Sequence, residues 1–205
     1  LYVASNRGRD KTAIFEFDVT ESKEGKLIFE HDEVDVSGLM YSKKRKVLTG
    51  VNYTLAKRDV EFFDSWRENI QNKLEKKLPG YEVGITSFSK DETKAVIVTY
   101  SDKSRGTYYY YNVENDKLTE LGKISPWLNE DHMAEMKPIT YKSRDGLTIH
   151  GYLTLPKGSN GKNLPVVVNP HGGPWARDTW GYRPEIQFLA NRGYAVFQMN
   201  FRGST

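Results

Sequence analysis

The spacing of apolar and polar residues divides the chain into two parts near residue 124. In residues 1–124, short runs rich in Val, Ile, Tyr and Phe alternate with turns of Gly, Asp, Asn, Ser and Lys, a pattern typical of β-strands. Beyond them, residues 139–156 predict a hairpin that turns at Asp145 and Gly146 and whose second strand has one apolar face. That face consists of Leu147, Ile149, Gly151, Leu153 and Leu155.

The first part contains a repeat. "YVASNRGRDKTAIFEFDV" and "VIVTYSDKSRGTYYYYNV" share a strand, a charged turn and an aromatic strand, and their final valines, Val19 and Val113, lie 94 residues apart (113 minus 19). This offset is about twice the period of ~40–50 residues of a four-stranded propeller blade. "GLMYSKKRKVLTGVNY" supplies strands for a blade between them. Two unrelated hairpins of a β-sandwich are the alternative.

One helix interrupts the strands. "DSWRENIQNKLEKKLPG" predicts a capping box at Ser65 and Glu68 and an end at Pro79 and Gly80. Its apolar residues recur every fourth position, so they form one stripe, which we expect to pack on the helix's own domain. The stripe consists of Trp66, Ile70, Leu74 and Leu78.

The second part ends in a strand, a helix and another strand. "LPVVVN" has no alternation, which predicts a strand covered on both faces. The helix is expected to begin near Pro184, to end before Gly193 and to bury Ile186, Leu189 and Ala190. "YAVFQMN" is the second strand, so the segment predicts a parallel βαβ unit at the beginning of an α/β sheet.

Charge and composition exclude several classes of function. Thirty Lys and Arg against twenty-seven Asp and Glu give a net charge of +3 without a basic block, so nucleic acid is not an expected partner. No run of about 18 apolar residues predicts a membrane span, and the first residues do not resemble a secretory leader. The absence of cysteine excludes disulfides, thiol nucleophiles and thiolate metal sites, and leaves the compartment open.

The candidate chemistry lies in "NPHGGPW", directly after the "VVV" strand. Glycines there let backbone N–H groups approach a ligand, as in the oxyanion hole of α/β-hydrolases. The alternative is a tight turn stiffened by Pro170 and Pro174. His171 could be a general base or a metal ligand, but no other His, Asp or Glu lies at short ligand spacing from it, so we predict no metal site and a role for His171 in fixing the loop.

The rest of a hydrolytic site is not found in the sequence. A nucleophile elbow, G-x-S-x-G, does not occur, and Ser204 in "FRGST" does not fit one. Trp175, Trp180 and Tyr182 either line a substrate pocket or cover the sheet. Arg202 either binds a substrate carboxylate or forms a structural ion pair.

Three segments together resemble the prolyl oligopeptidase family of serine peptidases. They are "WLNEDHMAEMKP", "SRDGLTIHGYLTLP" and "PVVVNPHGGPWARDTWGYRPEIQFLANRGYAVFQMNFRGST". The resemblance is to its acylaminoacyl-peptidase and dipeptidyl-peptidase-like branch and covers residues 124–205. Residues 62–123, with "SFSKDETKAVIVTYSDKS", resemble the branch more loosely, and residues 1–60 have only a propeller-like pattern.

The resemblance implies a fold and an activity. It implies that residues 1–124 are the C-terminal part of a β-propeller, all-β and incomplete, and that residues 125–205 are the N-terminal portion of an α/β-hydrolase domain. The propeller would restrict substrates to short peptides, and no cofactor would be needed. Gly173 would donate its backbone N–H to the oxyanion, with Gly172 and His171 shaping the loop.

The resemblance also implies what the chain lacks. The Ser, Asp and His of the catalytic triad would lie in other parts of the protein, so the 205 residues alone are expected to be inactive. Their partners would be the remainder of the propeller and of the hydrolase domain. Two alternatives remain open: an esterase or lipase with the same loop, and a propeller module that binds without catalysis.

Overall fold

The computed structural model describes residues 1–173 and 175–205. They form two compact units, Leu1–Asn69 together with Thr205, and Ile70–Ser204. Both consist mainly of β-sheets. In the described part of the chain, no helix has the length and apolar character needed to cross a membrane.

The first unit contains two three-stranded antiparallel sheets, ordered β1-β2-β3 and β4-β5-β6. Buried Ile14, Val36 and Val51 form one core cluster, against which Ile28 and Phe29 pack. The strands are β1 (Tyr2–Ser5), β2 (Ala13–Asp18), β3 (Lys23–Phe29), β4 (Val36–Ser42), β5 (Val47–Thr54) and β6 (Arg58–Phe62).

Helix α1 (Ser65–Lys77) has most of the predicted stripe, because Ile70, Leu74 and Leu78 are buried, whereas Trp66 is only partly buried. The predicted capping box was wrong. The Arg67 N–H donates to the Asp64 carboxylate at 2.9 Å and the Glu68 N–H to the Asp64 carbonyl. Asp64 is therefore the N-cap, and a carboxylate there also interacts favourably with the positive end of the helix dipole.

The second unit begins with a four-stranded antiparallel sheet ordered β10-β9-β8-β7. Strands β9 and β10 begin 94 residues after β2 and β3, since Thr107 corresponds to Ala13 and Lys117 to Lys23. The offset seen in the sequence is thus an offset between strands of two sheets. The strands are β7 (Glu82–Phe88), β8 (Lys94–Tyr100), β9 (Thr107–Asn112) and β10 (Lys117–Lys123).

The last sheet is mixed, with the order β11-β12-β14-β13. β11 (Met136–Lys142), β12 (Thr148–Thr154) and β14 (Ala195–Asn200) are antiparallel neighbours, whereas β13 (Val166–Val168) runs parallel to β14. Helix α2 (Pro184–Asn191) connects β13 to β14, as the βαβ pattern predicts. The core cluster contains Met136, Tyr152, Ile186 and Val196, with Trp180 and Leu189 packed against it.

Two predictions about this sheet were wrong. β13 was expected to be covered on both faces, but Val166 is 59% and Val168 54% exposed, so the face of the strand that these two residues share is not covered. β12 was expected to bury one alternating face. Tyr152 and Thr154, on the other face, are buried as well, because β12 lies between β11 and β14 with α2 packed on the sheet.

Helix α2 ends as the sequence predicts. Gly193 has φ +90°, its N–H donates to the Ala190 carbonyl, and the Tyr194 N–H donates to the Leu189 carbonyl. These two bonds form a Schellman motif, which favours glycine at the left-handed position. The strand β14 can therefore start directly at Ala195.

Candidate functional site

The candidate site is formed by two loops that leave the mixed sheet at the carboxyl ends of two neighbouring strands. Strands β13 and β14 are parallel neighbours, so their carboxyl ends lie side by side. The loop after β13 carries His171, Gly172 and Gly173, and the turn after β14 carries Phe201 and Ser204. This edge of a parallel unit is where α/β proteins bind ligands.

His171 connects the two loops. Its Nε2 lies 2.7 Å from the Ser204 Oγ, and its ring stacks on that of Phe201 with centroids 4.3 Å apart. Its Nδ1 lies 2.6 Å from the carbonyl oxygen of Gly172. Because a carbonyl oxygen only accepts, Nδ1 carries a hydrogen, and in the neutral ring Nε2 accepts from the Ser204 hydroxyl.

The bond from His171 orients the peptide unit between Gly172 and Gly173. A trans peptide is planar, so its N–H points opposite to its carbonyl. With the Gly172 carbonyl directed at the His171 ring, the Gly173 N–H is directed away from that ring. It donates no hydrogen bond to any described residue.

Gly173 needs to be glycine at this position. Its φ of +138° lies in a region that residues with a side chain rarely adopt. A Cβ there would lie 3.0 Å from the backbone nitrogen of Trp175. A Cβ on Gly172 would meet nothing within 4 Å. The two glycines of the loop therefore differ in their requirements.

Asn200, the last residue of β14, fixes the loop that follows β13 at a second position, Asp178. Its Oδ1 accepts from the Asp178 N–H at 2.8 Å and its Nδ2 donates to the Asp178 carbonyl at 3.1 Å. The Asp178 Oδ2 is buried and has no hydrogen-bond partner among the described residues. The loop is thus fixed at His171 and again at Asp178.

The three aromatic candidates lie in different environments. Trp175 is 82% exposed. Trp180 donates its Nε1–H to the Met136 carbonyl at 2.8 Å and packs against the core cluster. Trp180 and Tyr182 line one cavity of about 220 Å³, to which Trp175 does not contribute.

Arg202 forms an ion pair with Asp145 in the turn between β11 and β12. The Ser143 hydroxyl and, after it, the Arg202 charge hold the pKa of Asp145 below its ordinary value. Both side chains are more than half exposed. The guanidinium is therefore engaged by a carboxylate of the chain itself.

Comparison with known proteins gives relatives for the whole chain, although no family model matches it. The chain is 33% identical to Dipeptidyl aminopeptidase BIII of Pseudoxanthomonas mexicana, over 100% of the chain and 30% of that relative. A solved prolyl endopeptidase superposes with a TM-score of 0.69 at 18% identity, over 99% of the chain and 30% of that structure. Porphyromonas gingivalis dipeptidyl peptidase 4 gives 0.68 at 15% identity, over 99% and 29%.

The relatives that match the whole chain are dipeptidyl aminopeptidases and structures of the prolyl oligopeptidase family. The chain spans about 30% of the length of the relatives it matches. Its predominantly β structure matches the propeller part of prolyl oligopeptidase family structures. At these identities, the likeness to the solved structures carries the fold alone.

Several residues at the site and in the cavity beside Trp180 were not found by sequence reasoning. The bond between His171 and Ser204 joins residues 33 positions apart, and Asn200 reads in the sequence only as the end of a strand. Arg105 and Arg183, which line the same cavity as Trp180, are 78 residues apart (183 minus 105). No local pattern signals such pairs, because the chain topology brings them together.

Proposed function

We propose that the protein is a serine peptidase that hydrolyses peptide bonds of short peptides through an acyl-enzyme. A serine hydroxyl would attack the carbonyl carbon, and the amine would leave with a proton. Water would then hydrolyse the ester. The nucleophile and its Asp and His partners are assigned to no residue of this chain.

In this proposal, the chain supplies one oxyanion donor. When the hydroxyl attacks, negative charge develops on the carbonyl oxygen, and a backbone N–H already directed at that oxygen stabilises the transition state. The observation that carries the proposal is that the Gly173 N–H has no acceptor among the described residues, while His171 orients its peptide unit. Similarity to a dipeptidyl aminopeptidase along the whole chain supports it.

Ser204 needs separate consideration, because its hydroxyl lies within hydrogen-bond distance of an imidazole. In a catalytic triad, the other ring nitrogen donates to a buried carboxylate that stabilises the imidazolium. Here that nitrogen donates to the neutral Gly172 carbonyl. We therefore assign Ser204 to positioning His171 rather than to attack on a substrate.

The proposal extends to the parts of the protein. Residues 1–124 would belong to a propeller that restricts access, and residues 125–205 to an α/β-hydrolase domain whose parallel unit is β13–α2–β14. Both would work with the remainder of the propeller and hydrolase domain.

The experiment treats the complete gene product with a fluorophosphonate, which labels activated serines, and measures hydrolysis of dipeptidyl and N-acylaminoacyl fluorogenic amides and of the corresponding esters. We expect turnover, and label on one serine outside residues 1–205. Hydrolysis of esters but not of amides would identify an esterase instead. Absence of both label and turnover would favour a binding module, and label on Ser204 would contradict the role given to it.

Substitution of Gly173 tests the oxyanion donor. In the complete gene product, Gly173→Val should lower kcat by about 10²-fold or more, with KM little changed, because the donor acts in the transition state. Affinity for a peptide aldehyde, which forms a tetrahedral adduct, should fall in parallel. Gly172→Ala is the matched variant and should cost much less, since its Cβ would meet nothing within 4 Å. Equal losses in both variants would reject the assigned donor.

A further inference from the structure

The cavity lined by Trp180 and Tyr182 also carries two arginines, and we call it the arginine cavity. Arg105 and Ser104 belong to the turn between β8 and β9, and Thr179 and Arg183 to the loop before α2. Its volume of about 220 Å³ is below the ~300–1,000 Å³ of pockets that enclose drug-sized ligands. It has room for one small group.

Neither arginine has an acidic partner among the described residues. Arg105 donates to the Ser125 Oγ at 3.2 Å and Arg183 to the Thr179 Oγ1 at 3.2 Å. Each guanidinium thus uses one of its five N–H donors. No acidic residue is among the described residues that line the cavity. Two uncompensated positive charges beside one small volume favour an anion.

The two sides of the cavity are fixed to each other by a buried glutamine. The Gln187 side-chain amide donates to the Asp102 and Ala134 carbonyls, each at 2.9 Å, and its oxygen accepts from the Ala134 N–H at 2.8 Å. The Asp102 carboxylate in turn accepts from the Met136 N–H at 2.8 Å. Because Gln187 lies on α2 and Asp102 in the turn that holds Arg105, the arginines are held in register.

The turn that carries Arg105 is itself rigid. The Ser101 Oγ accepts from the N–H groups of Lys103 and Ser104, and the Ser104 Oγ accepts from the Gly106 N–H. Gly106 has φ +107°, and a Cβ on it would lie 1.6 Å from the Thr99 carbonyl oxygen. A preorganised pair of guanidinium groups loses little entropy when it binds an oxyanion.

We infer that the arginine cavity binds the terminal carboxylate of a short peptide through Arg105 and Arg183. Guanidinium groups match the two oxygens of a carboxylate with paired hydrogen bonds. The rings of Trp180 and Tyr182 offer apolar surface to the side chain of the terminal residue, and a free phosphate would leave that surface unused. The inference deepens the proposed function and rests on it for the identification of the ligand as a peptide.

Titration calorimetry on the complete gene product tests the inference. The probe is the tripeptide Ala-Ala-Phe with N-methylated peptide bonds, which resist hydrolysis, as the free acid and as the C-terminal amide. We expect the free acid to bind about tenfold more tightly, because charge-assisted hydrogen bonds are about twice as strong as neutral ones. This comparison needs no variant, so it does not depend on a substitution being tolerated.

Variants test whether the preference for the free acid over the amide depends on the two arginines. Arg183→Gln should abolish most of it, whereas Arg105→Gln should reduce it about threefold, because Arg105 is exposed and solvent screens its charge. Arg144→Gln is the control, since Arg144 is an exposed arginine that does not line the cavity. It removes the same charge and should keep the full preference.

Three outcomes would overturn the inference: equal affinity for acid and amide, a preference that survives loss of both arginines, or arginine-dependent binding of inorganic phosphate with no preference between the peptides. Cleavage of an amidated peptide tests the proposed function separately. Cleavage without acid preference would reject only the cavity assignment. Acid preference without any cleavage would reject the peptidase and leave a carboxylate site.

Discussion

The two four-stranded sheets of the second unit each have a glycine with positive φ, and the two glycines serve different purposes. Gly106, before β9, donates its N–H to the Ser104 Oγ and accepts from the Ile124 N–H through its carbonyl. Gly173, after β13, donates to no described residue. A positive φ identifies where the backbone requires glycine. Whether the glycine N–H is hydrogen-bonded within the protein distinguishes a glycine needed only for the turn from one whose N–H can bind a ligand.

The topology of the sheets explains the difference. In the sheet β7–β10, consecutive antiparallel strands are joined by short turns whose polar groups bond to each other. In the mixed sheet, β13 and β14 run parallel, so the chain needs a long connection that leaves the sheet at its carboxyl edge. Such a connection can leave a backbone group unused by the fold, and that group becomes available to a ligand.

The largest expected effect concerns Gly106. Gly106→Ala should lower the free energy of unfolding by about 3 kcal/mol or more, because the new Cβ would lie 1.6 Å from the Thr99 carbonyl oxygen and the turn would have to move. Urea unfolding of the complete gene product measures it. The matched variant is Gly80→Ala, at φ +85° with nothing within 4 Å, which should cost only about 1 kcal/mol for the left-handed conformation. Similar losses of unfolding free energy in both variants would mean that close approach to the Thr99 carbonyl is not the reason for a glycine at position 106.

A smaller effect is expected at the hydrogen bond between Ser204 and His171, the residue that orients the peptide unit of the proposed donor, Gly173. Ser204→Ala should lower kcat about fivefold with KM unchanged, because one hydrogen bond of about 1 kcal/mol no longer holds His171. Steady-state kinetics on a fluorogenic amide measures it. Ser204→Thr keeps the hydroxyl and should restore most of the rate. A loss of about 10⁴-fold or more would instead indicate a nucleophile, and an unchanged kcat would remove the positioning role.

The sequence allowed prediction of features that depend on neighbours along the chain. The stripe of α1, the parallel unit and the left-handed Gly193 follow from local spacing, and the 94-residue offset follows from the likeness of two segments; the structure has all four. The exposure of Val168 and the burial of Tyr152 could not be predicted, because they depend on what packs over the faces of β13 and β12. Periodicity tells which residues share a face, and the topology decides which faces are covered.

The candidate site and its surroundings likewise contain residues that a local sequence pattern signals and residues that it does not. Gly172 and Gly173 could be proposed from the sequence because two adjacent glycines after an apolar strand are a local signal. Gln187 was missed, since a polar residue in an amphipathic helix is expected on the solvent face, yet it is buried and bonds to Asp102 and Ala134. Its partners lie 85 and 53 residues away, which no helical pattern records.

The smallest expected effect is on the pH dependence of stability, and it concerns two turns, one from each sheet. Asp91, between β7 and β8, accepts from the Ser89 hydroxyl, the Thr93 N–H and the Thr93 hydroxyl, and these bonds, with that of Ser89 the largest, lower its pKa from 3.8 to about 2. A carboxylate with a depressed pKa stabilises the fold fully above about pH 4, and this contribution is lost as the pH falls towards 2. Asp145, between β11 and β12, has a pKa that is also lowered, chiefly by the Ser143 hydroxyl.

Asp91→Asn and Asp145→Asn should therefore each flatten the fall of Tm between pH 5 and pH 2, because the charged carboxylate is favoured by Ser89 and Thr93 at Asp91 and by Ser143 and Arg202 at Asp145. Calorimetric scans of both variants beside the parent protein measure the difference in slope. If Asp91→Asn lowered Tm by the same amount at every pH, the turn would be held by the shape of the side chain and not by its charge.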